Sequence, residues 1–239
     1  YVGGSFTGVG AGGTAVPGLN HIAKWNGVAW SALGSGLNQF VNALAVSGTD
    51  IYAGGQFTGV GSGGTPVSGL NYVTKWNGTS WSALGSGLNY GVGALAVSGT
   101  DLYVGGWFSG VGAGGTAVSG LYHVAKWNGT AWSALGGSIS LNGVRALAVS
   151  GTEVYVGGDI SGLAILGIAK WNGSTWSGLD GGLNTTVFSI AVSGTNIYAG
   201  GNFTNVSTTA TPVPGLNYVA KFTSAENKSA ISCKNVVVK

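Results

Sequence analysis

Six carboxylates, two imidazoles and one thiol are all that this chain of 239 residues offers for acid–base, metal or thiol chemistry. Asp50, Asp101 and Glu153 each follow a Ser-Gly-Thr, with Asn196 at the next copy. They therefore read as one repeated turn position, where a polar side chain bonds nearby backbone. The remaining Asp159, Asp180 and Glu226 form no repeated pair of the kind that glycoside hydrolysis needs. His21 and His123 stand at equivalent places in the repeat, each about to open a strand, with no carboxylate nearby in sequence to orient either one. Cys233 is alone, so neither an intrachain disulfide nor a cysteine-rich metal site is available. Gly-rich stretches such as "GVGAGG" lack the following helix that a phosphate loop requires. These residues lead us to expect a protein that is not an enzyme and carries no cofactor and no metal.

The composition narrows the partners. Glycine supplies 48 residues and charged residues only 6%, while 44% hydrophobic and 10% aromatic content argues for a packed core rather than disorder. The net charge of +3 is spread thinly, because Lys24, Lys75, Lys126, Lys170 and Lys221 recur at one position of a repeat. Nucleic-acid binding wants a concentrated basic stripe, so no nucleic acid is expected. No apolar run is long enough for membrane insertion. The Ser-, Thr-, Asn- and Gly-rich character suits an extracellular or cell-surface location.

The positions of these residues are set by an internal repeat. Tyr-(Val/Ala)-Gly-Gly begins at Tyr1, Tyr52, Tyr103, Tyr155 and Tyr198, and Lys-(Trp/Phe) at the five lysines above. Each period reads as four short strands: "ALAV" (94–97), "LYVGGWF" (102–108), "YHVAKW" (122–127) and "TAWSAL" (130–135). Asn128-Gly129 between the last two predicts a two-residue hairpin turn, with Trp127 opposite Thr130 and Ala125 opposite Trp132. Helical periodicity with caps is absent. Four strands per period and five periods fit an all-β, five-bladed β-propeller of antiparallel blades, over a solenoid of shorter repeats. Units begin near Tyr1, Ala43, Ala94, Ala146 and Ile190 of a single domain spanning 1–239. Residues 223–239 read as a degenerate segment whose "NVVVK" closes the ring by pairing with the N-terminal strand, unless the chain is a stretch of a longer array.

The string "YVGGSFTG…NHIAKWNG…WSALGSGLN…VNALAVSGTDIYAGG" resembles the glycine-rich propeller repeats of large bacterial and fungal cell-surface proteins. Those repeats are similar to kelch and galactose-oxidase-type propellers in their paired glycines and spaced tryptophans. The five-unit count also looks like that of tachylectin-2-type lectins. The resemblance covers residues 1 to about 222 and implies a fold, not an activity, since no ligand residue of these families maps onto this chain.

Two sets of residues follow. Trp25, Trp30, Trp76, Trp81, Trp127, Trp132, Trp171 and Trp176 recur in every copy of "KWNGxxW" and are expected to fill the seams between blades. The positions at which copies differ fall at the end of the blade that carries the long loops, where propellers bind. Here stand Gln39, Phe40, Gln56, Tyr90, Trp107, Arg145, Asp159 and Asn202, with Arg145 read as replacing Asn42, Gly93 and Ser189. Exposed aromatics stack on sugar rings and Asn or Gln match hydroxyls, so a carbohydrate-binding, lectin-like adhesion module is the first expectation. The repeated Gly-Leu-Asn at Asn20, Asn71 and Asn217 either supports such a site or caps its loop. Glycans or another surface protein would be the partners. A structural repeat protein of a surface, sheath or fibre, with possible self-assembly, is the alternative.

Overall fold

The computed structural model describes residues 1–10, 14–116, 120–136, 141–160, 166–206 and 216–223. The chain divides into two compact units, Tyr1–Ala134 and Leu135–Lys239. The described residues form strands and turns with no helix, arranged as five antiparallel sheets of three or four strands. The segment 224–239, which holds Cys233, Glu226 and "NVVVK", lies outside the described residues.

In the first unit, blade one contributes a second strand (Val2–Gly3), a third (Ile22–Trp25) and an outer strand (Trp30–Ser31). Blade two runs from its inner strand Val41–Ser47 through Asp50–Gly55 and Val73–Trp76 to the outer Trp81–Ala83. Blade three repeats this order with Val92–Ser98, Asp101–Gly106, Val124–Trp127 and Trp132–Ala134. In the second unit, blade four comprises Leu141–Ser150, Glu153–Ile160, Ile168–Trp171 and Trp176–Gly178. Blade five comprises Val187–Ser193, Asn196–Gly201 and Val219–Thr223. Each blade is a meander, so second-to-third and outer-to-inner connections emerge at one end and the tight turns at the other.

The core lies between neighbouring blades. One cluster joins Ile22, Leu33 and Leu37 to Val41, Ile51, Phe57 and Trp76, and another joins Val73, Leu84 and Leu88 to Leu102, Val104, Phe108 and Trp127. In the second unit Ile168, Leu179 and Leu183 pack with Ile197, Phe203 and Phe222. The paired glycines make this possible. A Cβ on Gly54 would run into Val92 of the next inner strand, and one on Gly55 into the Phe40 carbonyl.

The Asn-Gly turn differs from the two-residue expectation. Trp127 pairs directly with Trp132, and Trp25, Trp76 and Trp171 pair with Trp30, Trp81 and Trp176. The loop has four residues because the Asn side chain takes over a backbone role. Asn128 Oδ1 accepts from the Thr130 and Ala131 amides at 3.0 and 2.8 Å, a geometry repeated at Asn26, Asn77 and Asn172. Both indoles still share one face, with ring centroids 5.2 Å apart at Trp127–Trp132. They press on the preceding blade: Trp127 abuts Gly85, and Trp132 Nε1 donates to the Leu84 carbonyl at 2.9 Å.

The acidic turn residues also differ from expectation. Asp50, Asp101 and Glu153 are ion-paired to Lys75, Lys126 and Lys170 at 3.0, 3.1 and 2.7 Å. Antiparallel register brings each repeat's lysine beside its Tyr, one pleat from the acid, and Asn196 leaves Lys221 over the Tyr198 ring instead.

Candidate functional site

The loop-bearing end is built on repeated asparagine clamps. Asn38, Asn89 and Asn184 each accept through Oδ1 from two consecutive amides across the loop: Thr58 and Gly59, Ser109 and Gly110, Thr204 and Asn205. Asn20 and Asn71 donate to the Ser35 and Ser86 carbonyls at 2.8 and 3.2 Å, so these two cap their loops. The second-to-third loops are not plain loops: in blades one and two they fold into two-stranded ribbons, Gly8–Val9 with Thr14–Ala15 and Gly59–Val60 with Thr65–Pro66. Glycine supplies the turns and the clamps tie the loop ends, which gives each of these loops a fixed platform of its own.

On that platform the residue just before each third strand has a left-handed backbone. His21, Tyr72, His123 and Tyr218 have φ of 63°, 65°, 61° and 65°, and Gly167 takes the place in blade four. An aromatic residue in this region is uncommon and costs on the order of 1–3 kcal/mol. Its backbone is tied on both sides: the Tyr72 amide donates to the Phe57 carbonyl, and the Tyr72 carbonyl accepts from the Gly55 amide. The conformation turns the ring toward the outer-to-inner loop. Tyr72 stacks on Tyr90 at 6.2 Å and 24°, and His21 meets Phe40 edge-on at 5.6 Å and 74°. Burial holds both imidazoles below their usual pKa. The Gly106 carbonyl, 3.2 Å from His123 Nδ1, opposes this; Gly4 does so for His21, whose Nδ1 makes no bond of good geometry.

Each described inner strand carries a β-bulge, at Asn42, Gly93, Arg145 and Phe188, and blade four has a second irregularity between Leu141 and Val144. A bulge adds one residue and re-aims its side chain. This corrects the sequence alignment: Ser189 pairs with Gly200 as Ala43 pairs with Gly54, so Phe188, not Ser189, is equivalent to Arg145. The repeat-unit start at Ile190 therefore falls one residue late.

Within the first unit, Gln39, Phe40 and Tyr90 are exposed, and Gln56 lies over the Gly91 backbone beside Tyr90. Trp107 is half-buried, its amide donating to the Gly91 carbonyl. Within the second unit, Arg145 and Asp159 come together at 3.1 Å, and Thr186 donates to the other Asp159 oxygen at 2.6 Å. Arg145 also sits over the exposed Phe188 ring at 5.7 Å. Asn202 is exposed and bonded through its amide to the Thr186 carbonyl. Sequence reasoning missed Tyr72, Tyr122, Phe188 and Tyr218. The signal for most of them was a tyrosine within two residues of Gly-Leu in the second, third and fifth copies. Tyr122 and Tyr218 are 63% and 58% exposed and Tyr90 is 58% exposed, all at the loop-bearing end of their blades. Among the described residues no three His, Cys, Asp or Glu converge as a metal set would.

No protein-family model matches the chain, and no curated protein matches it. Solved structures do. A GH74 enzyme of Niastella koreensis shares 17% identity at a TM-score of 0.50, covering 93% of this chain and 36% of its own. A nidogen/laminin complex shares 11% identity at a TM-score of 0.50, covering 74% of this chain and 61% of that one. A computationally designed protein, Ika4, gives 16% identity and 0.47, covering 77% and 90%. The chain thus spans about a third of the GH74 enzyme. With the sheet order above, the first two likenesses identify the fold as an all-β propeller of antiparallel blades.

Proposed function

We propose that this chain is a non-enzymatic, extracellular or cell-surface binding module that takes carbohydrate on the loop-bearing end of its blades. The observation that carries the reading is the Tyr72–Tyr90 stack. Two rings from different loops are held together, one by a strained backbone, with Tyr90 mostly open to solvent and the Gln56 carboxamide against Gly91, the next residue in the chain. A flat aromatic face suits the apolar face of a sugar ring, and a neighbouring amide offers both a donor and an acceptor to its hydroxyls. The Phe40–His21 pair is the same device one blade earlier with different chemistry, so the sites are related without being identical. A rigid platform also lowers the ordering cost of binding.

A glycan array followed by titration of the best sugar tests this, with Tyr90→Ala as the variant. Tyr90 lies at the surface, so the fold persists while affinity falls about tenfold, equivalent to ~1.4 kcal/mol. Failure of every glycan to bind the wild-type chain would refute it. A role as a structural repeat of a surface layer or fibre is favoured by one observation, the bare Trp25–Trp30 face of blade one.

A further inference from the structure

We propose that the turns at Asn77, Asn128 and Asn172 are acceptor sites for N-linked glycan, so that each of these blades carries sugar at the end opposite its long loops. The inference rests on the extracellular part of the reading above and not on carbohydrate binding. Each turn reads Asn-Gly-Thr or Asn-Gly-Ser, the type of tripeptide that N-glycosylation requires.

The turn by itself does not explain the tripeptide. Blade one builds the same turn from Asn26-Gly27-Val28, where Asn26 Oδ1 accepts from the Val28 and Ala29 amides at 2.8 Å each. Val28 is 84% exposed and offers no hydroxyl, so the fold needs only the asparagine. In the other three copies a hydroxyl stands at that place and turns back onto the asparagine. Thr79 and Thr130 Oγ1 donate to Asn77 and Asn128 Oδ1 at 2.9 Å, and Ser174 Oγ donates to Asn172 Oδ1 at 3.0 Å. A donor on Oδ1 draws carboxamide electron density onto oxygen and makes an Nδ2 proton easier to lose.

The fold also leaves room for a substituent. Among the described residues the Nδ2 of these three asparagines has no hydrogen-bond partner, and all three turns are exposed. A Cβ on Gly78, Gly129 or Gly173 would meet nothing within 4 Å, so the turn tips stand clear of the rest of the chain. Transfer joins Nδ2 to the anomeric carbon of an oligosaccharide carried on a lipid pyrophosphate. The C1–O bond breaks, the lipid pyrophosphate leaves and Nδ2 gives up one proton. Oδ1 is untouched, so its bonds to the Thr79 and Ser80 amides, and their equivalents, persist beneath the glycan. With only 6% charged residues, the chain gains solubility from such substituents.

The same type of tripeptide at Asn184-Thr185-Thr186 lacks these features. Asn184 Oδ1 clamps two loop amides, its Nδ2 donates to the Thr204 hydroxyl at 3.4 Å, and the Thr186 hydroxyl donates to Asp159 at 2.6 Å. A glycan there would crowd the clamp, so folded chains are expected to be bare at Asn184.

The test secretes the chain from yeast or mammalian cells behind a cleavable leader and reads each site as intact glycopeptides by mass spectrometry. Glycan is expected on Asn77, Asn128 and Asn172 in most secreted molecules, with Asn184 bare. Thr79→Val, Thr130→Val and Ser174→Val, which copy blade one, each abolish glycan at their own turn and leave the urea midpoint of the deglycosylated chain unchanged. Three outcomes overturn the proposal: bare turns in the secreted chain, glycan confined to Asn184, or a urea midpoint that falls when the three turns are loaded. A bare chain that still binds sugar sinks this inference alone, and a loaded chain that binds none sinks the carbohydrate reading alone.

Discussion

Replacing Trp127 by alanine should cost far more than the same change at Trp25, although the two residues occupy one position of the repeat. A tryptophan side chain offers roughly 200 Å². At 8% exposure Trp127 buries roughly nine-tenths of that, and at ~25 cal/mol per Å² its removal costs about 4.5 kcal/mol. Trp25 at 45% exposure buries little more than half, for about 2.5 kcal/mol. Both residues belong to the unit Tyr1–Ala134, so one urea transition reports on both. Far-UV circular dichroism, with m checked for constancy, would place the Trp127→Ala midpoint clearly below that of Trp25→Ala. Equal midpoints would mean that the glycine-lined contact with the preceding blade contributes nothing, and the seam reasoning would fail.

Three further outcomes are expected. Burial lowers the His123 pKa, so below about pH 6.5 the unfolded chain takes a proton that the folded chain refuses, and stability falls with pH. His123→Tyr, with Tyr72 as precedent for the same φ, should flatten that slope between pH 8 and 5.5 in urea titrations. Glu153 is held below the usual carboxylate range by its hydrogen bonds from Lys170 and then Tyr155. Its contribution is full above about pH 4.5 and lost as pH falls through the lowered value, so Glu153→Gln should lower thermal stability at pH 6 and converge with wild type in acid. Asn89→Ala removes two clamp bonds at a cost of about 1 kcal/mol and should speed amide exchange at Ser109 and Gly110 without disturbing Trp132.

The sequence made the architecture legible because the repeat carries strand, turn and seam signals in every copy. Recurring tryptophans with small residues opposite them could only serve a repeated contact. What stayed hidden depended on register. Phe188 was within reach, since three residues before "AVSGT" stand Asn42, Gly93, Arg145 and Phe188. The bulge shared by the four described inner strands, which re-aims that residue, is what the sequence alone did not show. The Lys126–Asp101 ion pair needs the pairing of Tyr103 with Lys126, which no local pattern states. The Asn-Gly signal was real, but the Asn128 carboxamide replaced a backbone group and lengthened the loop. Nothing in local propensity announces a left-handed Tyr72, because it is the tied loop that imposes the conformation.

Carbohydrate on the loop-bearing end remains the central claim, and chemical-shift mapping of the labelled chain during titration with an array-selected sugar tests it most directly. Saturable shifts centred on Tyr72, Tyr90 and Gln56 are expected, with the Asn77–Ser80 and Asn128–Ala131 turns at the other end unmoved. Shifts confined to those turns, or none with any sugar at millimolar concentration, would contradict it.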